Sequence, residues 1–278
     1  MAENEWVTGK VVLKIGGIPV DLEMTVPANP VKPHRMLPIF HQMSNTFTDA
    51  GVAVVEAEGK AISCKAGCGA CCRQPVPITE VEVYQIAELV ESMPQPRRDA
   101  VKKRFADAVD HFRKNGMLDE LKKQYDHGRP KGSRKEMIAA LDAAMKLFHE
   151  GIPCPFLENE SCSIHQNRPL ICREYLVTSP AANCAAPSAE NIKRVEIPIK
   201  PSKTVGHLGR TGRMNKEDPL LLILALELAE KYPENFPKKP GPEWMADFFD
   251  QLADNEAKRR VPLPGSTSGK RKQRRRGA

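Results

Sequence analysis

Residues 64–72 read CKAGCGACC, four thiols within nine residues and two of them adjacent. The other four cysteines, Cys154, Cys162, Cys172 and Cys184, form a looser second group. These are all eight cysteines of the chain, and none falls on the apolar helical faces at 83–93, 101–112, 137–148 or 217–231, where ordinary core cysteines would scatter. Thiolates select zinc, Cu(I) and iron–sulfur clusters. The short gaps from Cys64 to Cys68 to Cys71 let several sulfurs converge on one centre at little loop-closure cost. Gly67 and Gly69 open unusual φ angles, so the backbone can wrap closely and aim N–H groups at sulfur. Adjacent Cys71 and Cys72 do not serve one mononuclear ion with relaxed geometry; either they serve two metals or one is a free thiol. Eight thiols suffice for one cluster with spares or for two four-ligand sites.

The second group is set in CPFLENESCSIHQNRPLICREYLVTSPAANC. Pro153 and Pro155 stiffen the approach to Cys154, and Phe156, Leu157, Ile164, Leu170 and Ile171 supply a water-excluding shell. Arg168 and Arg173 flank Cys172, where their charge would offset that of a thiolate cluster; a surface ion pair is the plainer role for each. His165, between Cys162 and Cys172, is a ligand by type, although a lone histidine more often serves as a hydrogen-bonding residue.

CKAGCGACCRQPVPIT followed by CPFLENESCSIHQNRPLICREY resembles the YkgJ-type cysteine-cluster family, the zinc- or iron-chelating CxxCxxCC family. The matching blocks are the CGxCC core, CPFL, the C-S-I-ring block and RPxxCR, over roughly residues 62–184. Two positions depart from the pattern: three residues, Lys65, Ala66 and Gly67, fill the first gap, and His165 stands where tyrosine is expected. The resemblance implies chelation of an iron–sulfur cluster (4Fe-4S) or zinc, with all eight cysteines as candidate metal ligands: Cys64, Cys68, Cys71, Cys72, Cys154, Cys162, Cys172 and Cys184. A related architecture in flagellin lysine N-methylases makes a protein-modifying activity conceivable. The C-x3-C-x2-C spacing of residues 64–71 also matches the radical-SAM motif. Against that, Ala70 replaces the usual aromatic, and the following sequence reads as consecutive helices, not alternating strands and helices. No nucleophile elbow, P-loop or dinucleotide fingerprint is present, and GHLGRTG (206–212) reads as a loop.

The elements that must position these thiols are mostly helical. Residues 6–26 alternate as a β-hairpin about Gly16-Gly17. A proline-rich link leads to a helix over 37–57, with a weak spot at Gly51. Thr79 and Glu82 form a capping box opening a helix that buries Val83, Ile86, Leu89, Val90 and Met93. A second helix carries Val101, Phe105, Ala108, Val109 and Phe112, and a third covers 117–126, before the loop GRPKGS. Ser133 and Glu136 open a helix with Met137, Leu141, Ala144, Met145 and Phe148 inside and Gly151 as its C-terminal stop. The stretch 152–190 is irregular, 194–200 is a strand candidate, and helices are predicted at 217–231 and 242–257. The fold class is α+β, mainly α-helical, divided as 1–35 hairpin and linker, 36–190 cysteine-cluster domain, 191–260 C-terminal strand and helices, and 261–278 basic tail.

The net charge of +7 belongs to the C-terminus, where residues 258–278 hold nine Lys and Arg and no acid, leaving the rest of the chain at −2. Such a tail reads as disordered and as a weak, salt-sensitive, non-specific nucleic-acid contact. The N-terminus lacks the pattern of a secretory signal, and the longest apolar run, Leu220–Leu226, is too short to span a bilayer. The expectation is a soluble cytoplasmic protein whose thiols stay reduced. The expected partner is a metal ion or cluster, with no membrane contact.

Overall fold

The computed structural model describes residues 5–15, 18–126, 129–130, 133–208, 214 and 218–260. Gly16-Gly17, part of GRPKGS, residues 209–212 of GHLGRTG and the tail 261–278 lie outside the described residues.

Two ten-residue strands, β1 (Trp6–Ile15) and β2 (Ile18–Pro27), pair antiparallel from Trp6↔Pro27 to Ile15↔Ile18. Period-2 alternation decides which face turns inward: Leu22 and Val26 are buried, whereas Val12 is 59% exposed. The helix α1 (Leu37–Ala57) runs through Gly51 without interruption. Glycine serves close approach at that position, because a Cβ there would lie 2.9 Å from the Glu196 carbonyl oxygen.

Next come α2 (Glu80–Glu91), α3 (Arg97–Lys114) and α4 (Met117–Gln124), then a two-residue ladder of β3 (Tyr125–Asp126) with β4 (Arg129–Pro130), then α5 (Arg134–His149). The capping boxes at Thr79/Glu82 and Ser133/Glu136 both form. Each N-cap is worth about 1 kcal/mol. Gly151 takes φ +68° just past α5, where an L-residue would be strained.

The inward face of α5 keeps Phe148, as expected, but otherwise differs. Ala140, Ala143, Leu147 and Phe148 are buried, whereas Met137 and Leu141 are 57% and 60% exposed. The helix has apolar residues on more than one face, and contact with α4 chooses the alanine-rich side because small residues let two helices approach.

The second cysteine group lies on short elements: β5 (Leu157–Glu158) paired with β6 (Ser161–Cys162), and α6 (Leu170–Arg173). Residues 194–200 bury Val195 and Ile197 alternately but form no ladder, only an isolated bridge between Val177 and Arg194. Pro198 removes a donor from that stretch. A short helix α7 (Pro201–Val205) follows. The helix expected from 217 becomes regular only at α8 (Ala225–Lys231). Before it, the Ile78 N–H donates to Leu220 and the Leu222 N–H to Val76, a tertiary pairing that holds this backbone extended.

The last helix, α9 (Gly241–Arg260), places Phe248 on Phe40 of α1 with ring centroids 5.1 Å apart. The buried Trp244 indole donates to Val31. One apolar cluster runs from Leu22 of the hairpin to Leu252 of α9. The fold is therefore α+β and mainly α, and among the described residues every sheet is two-stranded and antiparallel. Among the described residues no helix is long and apolar enough to cross a membrane.

Candidate metal centre

Both cysteine groups reach one place because their backbones are tied directly to each other. The Cys154 N–H donates to the Cys72 carbonyl at 2.7 Å, the Gly67 N–H to Ser161 Oγ at 3.0 Å, and the Ser63 N–H to the Val177 carbonyl at 2.9 Å. The turn Ala70–Arg73 also packs on the turn Ala181–Ala185. All eight cysteines are free thiols, and all eight line a single cavity of about 580 Å³.

The glycines of CKAGCGACC act in two different ways. Gly67 has φ +81°, the left-handed conformation that the sequence implied. Gly69 has an ordinary φ of −93° and is needed for space: a Cβ there would lie 2.5 Å from Glu160 Oε2 and 2.8 Å from Leu157 Cδ1. The β5–β6 turn thus sits directly on the first cysteine group. That turn places Asn159 and Glu160 at φ 50° and 52°, as a two-residue hairpin turn demands. Arg73 holds it there, donating through Nη1 to Glu160 Oε2 and the Gly69 carbonyl and through Nη2 to Glu160 Oε1. From α3, Arg104 fixes Glu158 at 2.8 Å. These exposed pairs contribute little net stability; their effect is to set position.

The α6 turn carrying Cys172 is seated by Glu82. The Thr79 N–H donates to Glu82 Oε2, closing the capping box, while the Leu170 N–H donates to Glu82 Oε1 at 2.7 Å. Burial pushes the Glu82 carboxyl up, and these N–H groups oppose the shift. Arg173 is buried, not a surface ion pair: its guanidinium donates to Asn45 Oδ1 and to the carbonyls of Arg168 and Gln166. The sequence reading missed Arg73, Glu160, Asn45 and the second use of Glu82. A capping box is visible in sequence; a remote N–H sharing its carboxylate is not.

Burial pushes up the thiols of Cys64, Cys154, Cys162, Cys172 and Cys184, that of Cys154 to about 12. Backbone N–H groups act the other way: that of Phe156 on Cys154, that of Ile164 on Cys162 and that of Val177 on Cys64. The CPF and CSI blocks are therefore alike: in each, an N–H two residues on faces the sulfur, an arrangement that stabilises thiolate and tunes a bound metal. Arg168 lines the cavity, and its charge favours the thiolates of Cys64, Cys71 and Cys162. His165 Nε2 accepts from Arg168 at 2.7 Å, so the ring is neutral and orients the arginine. The buried Tyr175 hydroxyl faces Cys184.

Interactions between the sulfurs fall into two sets. Cys68 acts on Cys64 and Cys184, and Cys64 on Cys184; Cys162 acts on Cys154 and Cys172, and Cys154 on Cys172. Cys71 acts on members of both sets. Contact with Cys72, then burial, drives the Cys71 thiol far above its ordinary range, a cost that a bound cation would remove. As the side chains stand, no three of the described His, Cys, Asp or Glu groups are grouped to hold a single ion.

Against Arg168 and Arg173 packs His41 of α1, whose ring burial, followed by those two cations, holds near a pKa of about 3 instead of 6.5. Below pH 6.5 the unfolded chain binds a proton that the folded chain refuses. The associated stability is full above pH 6.5 and is lost as pH falls toward 3. Complete expression of that shift would amount to on the order of 5 kcal/mol. His41→Gln should flatten the dependence of the urea midpoint on pH between 7 and 4; an unchanged slope would assign the acid sensitivity to another group.

A helical scaffold that gathers eight free thiols, N–H donors and an arginine around one chamber defines a cysteine-cluster domain of the metal-chelating class. Residues 63–194, which contain all eight cysteines, match the CxxCxxCC family model, described as "Putative zinc- or iron-chelating domain". The match covers a little under half of the chain. No curated protein and no solved structure matches the chain.

Proposed function

We propose that residues 63–194 hold a thiolate-bound metal centre, a 4Fe-4S cluster in preference to zinc, with ligands drawn from Cys64, Cys68, Cys71, Cys72, Cys154, Cys162, Cys172 and Cys184; one such cluster takes four of them and leaves four for a second site or as spares. The observation that carries this reading is the convergence of all eight thiols on one chamber of about 580 Å³. A lone tetrahedral zinc, with four Zn–S bonds of about 2.3 Å, takes four thiolates as a 4Fe-4S cluster does, but needs a far smaller space than this chamber offers. Cys71 is the thiol whose charge acts on members of both sets, as that of a shared ligand would. When bound, an iron–sulfur cluster supplies electron transfer or a covalent cross-link between the two cysteine groups. The chain's own residues exclude water and direct N–H groups and the Arg168 charge at sulfur. The reduced thiols suit the cytoplasm.

A radical-SAM enzyme is the weaker reading, since the two-stranded antiparallel sheets described here are not parts of a β/α barrel. Protein purified without oxygen should be brown and contain iron with equimolar acid-labile sulfide, read by metal analysis and Mössbauer spectroscopy. A colourless protein with stoichiometric zinc would replace the cluster by zinc. Absence of bound metal, with no uptake on reconstitution, would end the proposal.

A further inference from the structure

Behind one wall of the thiol chamber lies a second and larger cleft, of about 1580 Å³. Gln74, Pro75 and Pro77 line both spaces, so only the backbone that follows Cys72 separates them. The cleft is floored by Leu141, Met145 and Phe148 of α5, by Val195 and Ile197 of the extended segment, and by Leu252 of α9. Leu141 and its neighbours Met137 and Ile138 carry the apolar surface on to the outside, being 60%, 57% and 51% exposed. This is the α5 face that the fold leaves uncovered.

The charges in the cleft are one-sided. Arg194, Lys200 and Lys203 line it together with one acid, Glu196, and among the described residues none of the three cations has an ion-pair partner. Thr204, 1% exposed, also lines the cleft with its hydroxyl unpartnered. A buried hydroxyl without a hydrogen bond costs about 1–3 kcal/mol, a penalty that an arriving polar group removes. The guanidinium of Arg194 lies over the Tyr175 ring, 5.0 Å from its centroid, and the same tyrosine faces Cys184 in the thiol chamber.

We propose that this cleft binds an extended segment of another protein, apolar and acidic in alternation, and holds it beside the metal chamber. Its volume exceeds the about 300–1,000 Å³ of sites for single small molecules. Its apolar floor and unpaired cations match side chains of both kinds. The chain's own basic C-terminus carries the wrong charge to fill it. Nothing in this inference requires that the chamber hold iron.

The test uses the full-length protein as purified and two fluorescein-labelled twelve-residue peptides, one alternating Asp and Leu, the other Lys and Leu. By anisotropy the Asp/Leu peptide should bind and the Lys/Leu peptide should not. Lys203→Glu, at an exposed position, and Leu141→Asp should each weaken binding at least tenfold, with unchanged metal content and thermal midpoint. A labelled single-stranded oligonucleotide and a dodecyl phosphate probe complete the set. No binding of the Asp/Leu peptide, equal binding of both peptides, insensitivity to both substitutions, or tighter binding of either other probe lost in the same variants would each overturn the proposal. Because metal content is read in parallel, failure of the cleft is distinguishable from failure of the metal reading.

Discussion

Cys71→Ser should cost the protein its metal more completely than replacement of any other cysteine. Cys71 is the sulfur whose charge acts on Cys64 and Cys184 on one side and on Cys154, Cys162 and Cys172 on the other. Loss of an outer residue that merely orients a ligand lowers metal affinity by about 10–100-fold. Loss of a thiolate shared by both halves of the site should exceed that range. Cys72→Ser is the control, since Cys72 lies in the same turn and contacts Cys71. It should retain measurably more metal and sulfide than Cys71→Ser. Metal-to-protein ratios of the two variants, purified side by side without oxygen, decide the matter. Equal loss in both would make the neighbouring thiols equivalent and remove the special role of Cys71.

Stripping the metal should have the largest effect on stability. The two cysteine groups are separated in sequence by α2, α3, α4 and α5. Without metal they are held together by a few backbone hydrogen bonds, such as Cys154 to Cys72, and by partly exposed ion pairs, such as Arg73–Glu160. A metal that closes so long a loop links its binding free energy to folding, which in zinc-finger peptides amounts to about 10–16 kcal/mol. Part of this fold stands on its own apolar core, so the expected loss is a fraction, on the order of 5 kcal/mol. At this chain size that corresponds to about 10–20 °C in the thermal midpoint. Hydrogen exchange should locate the change. Protection should fall in 63–74 and 152–190 on chelation, while β2 and the part of α9 packed on α1 keep theirs. An unchanged midpoint with uniform protection would show that metal and fold are uncoupled.

Local chemistry explains why some of this was legible in the sequence. The hairpin registers because alternation is a property of neighbouring residues, and both capping boxes form because their partners lie three positions apart. The cysteine groups announce a soft-metal site by residue type alone. Where two local patterns competed, the sequence could not choose. Helix α5 has apolar residues on several sides, and only its contact with α4 selected Ala140 and Ala143 over Met137 and Leu141. Residues 220–222 follow a helical pattern, yet their backbone groups are taken by Val76 and Ile78 across the fold.

The sequence by itself determined that the thiols would come in two groups and that the surrounding scaffold would be mainly helical. Tertiary structure decided that both groups line one chamber. It also gave Gly69 and Glu82 tasks toward residues far along the chain, and it set an uncovered cationic cleft against the chamber. Helix and hairpin signals act over a few residues, where chain connectivity fixes the neighbours. Convergence at one chamber depends on hydrogen bonds and packing between segments whose separation in sequence says nothing about their distance in space.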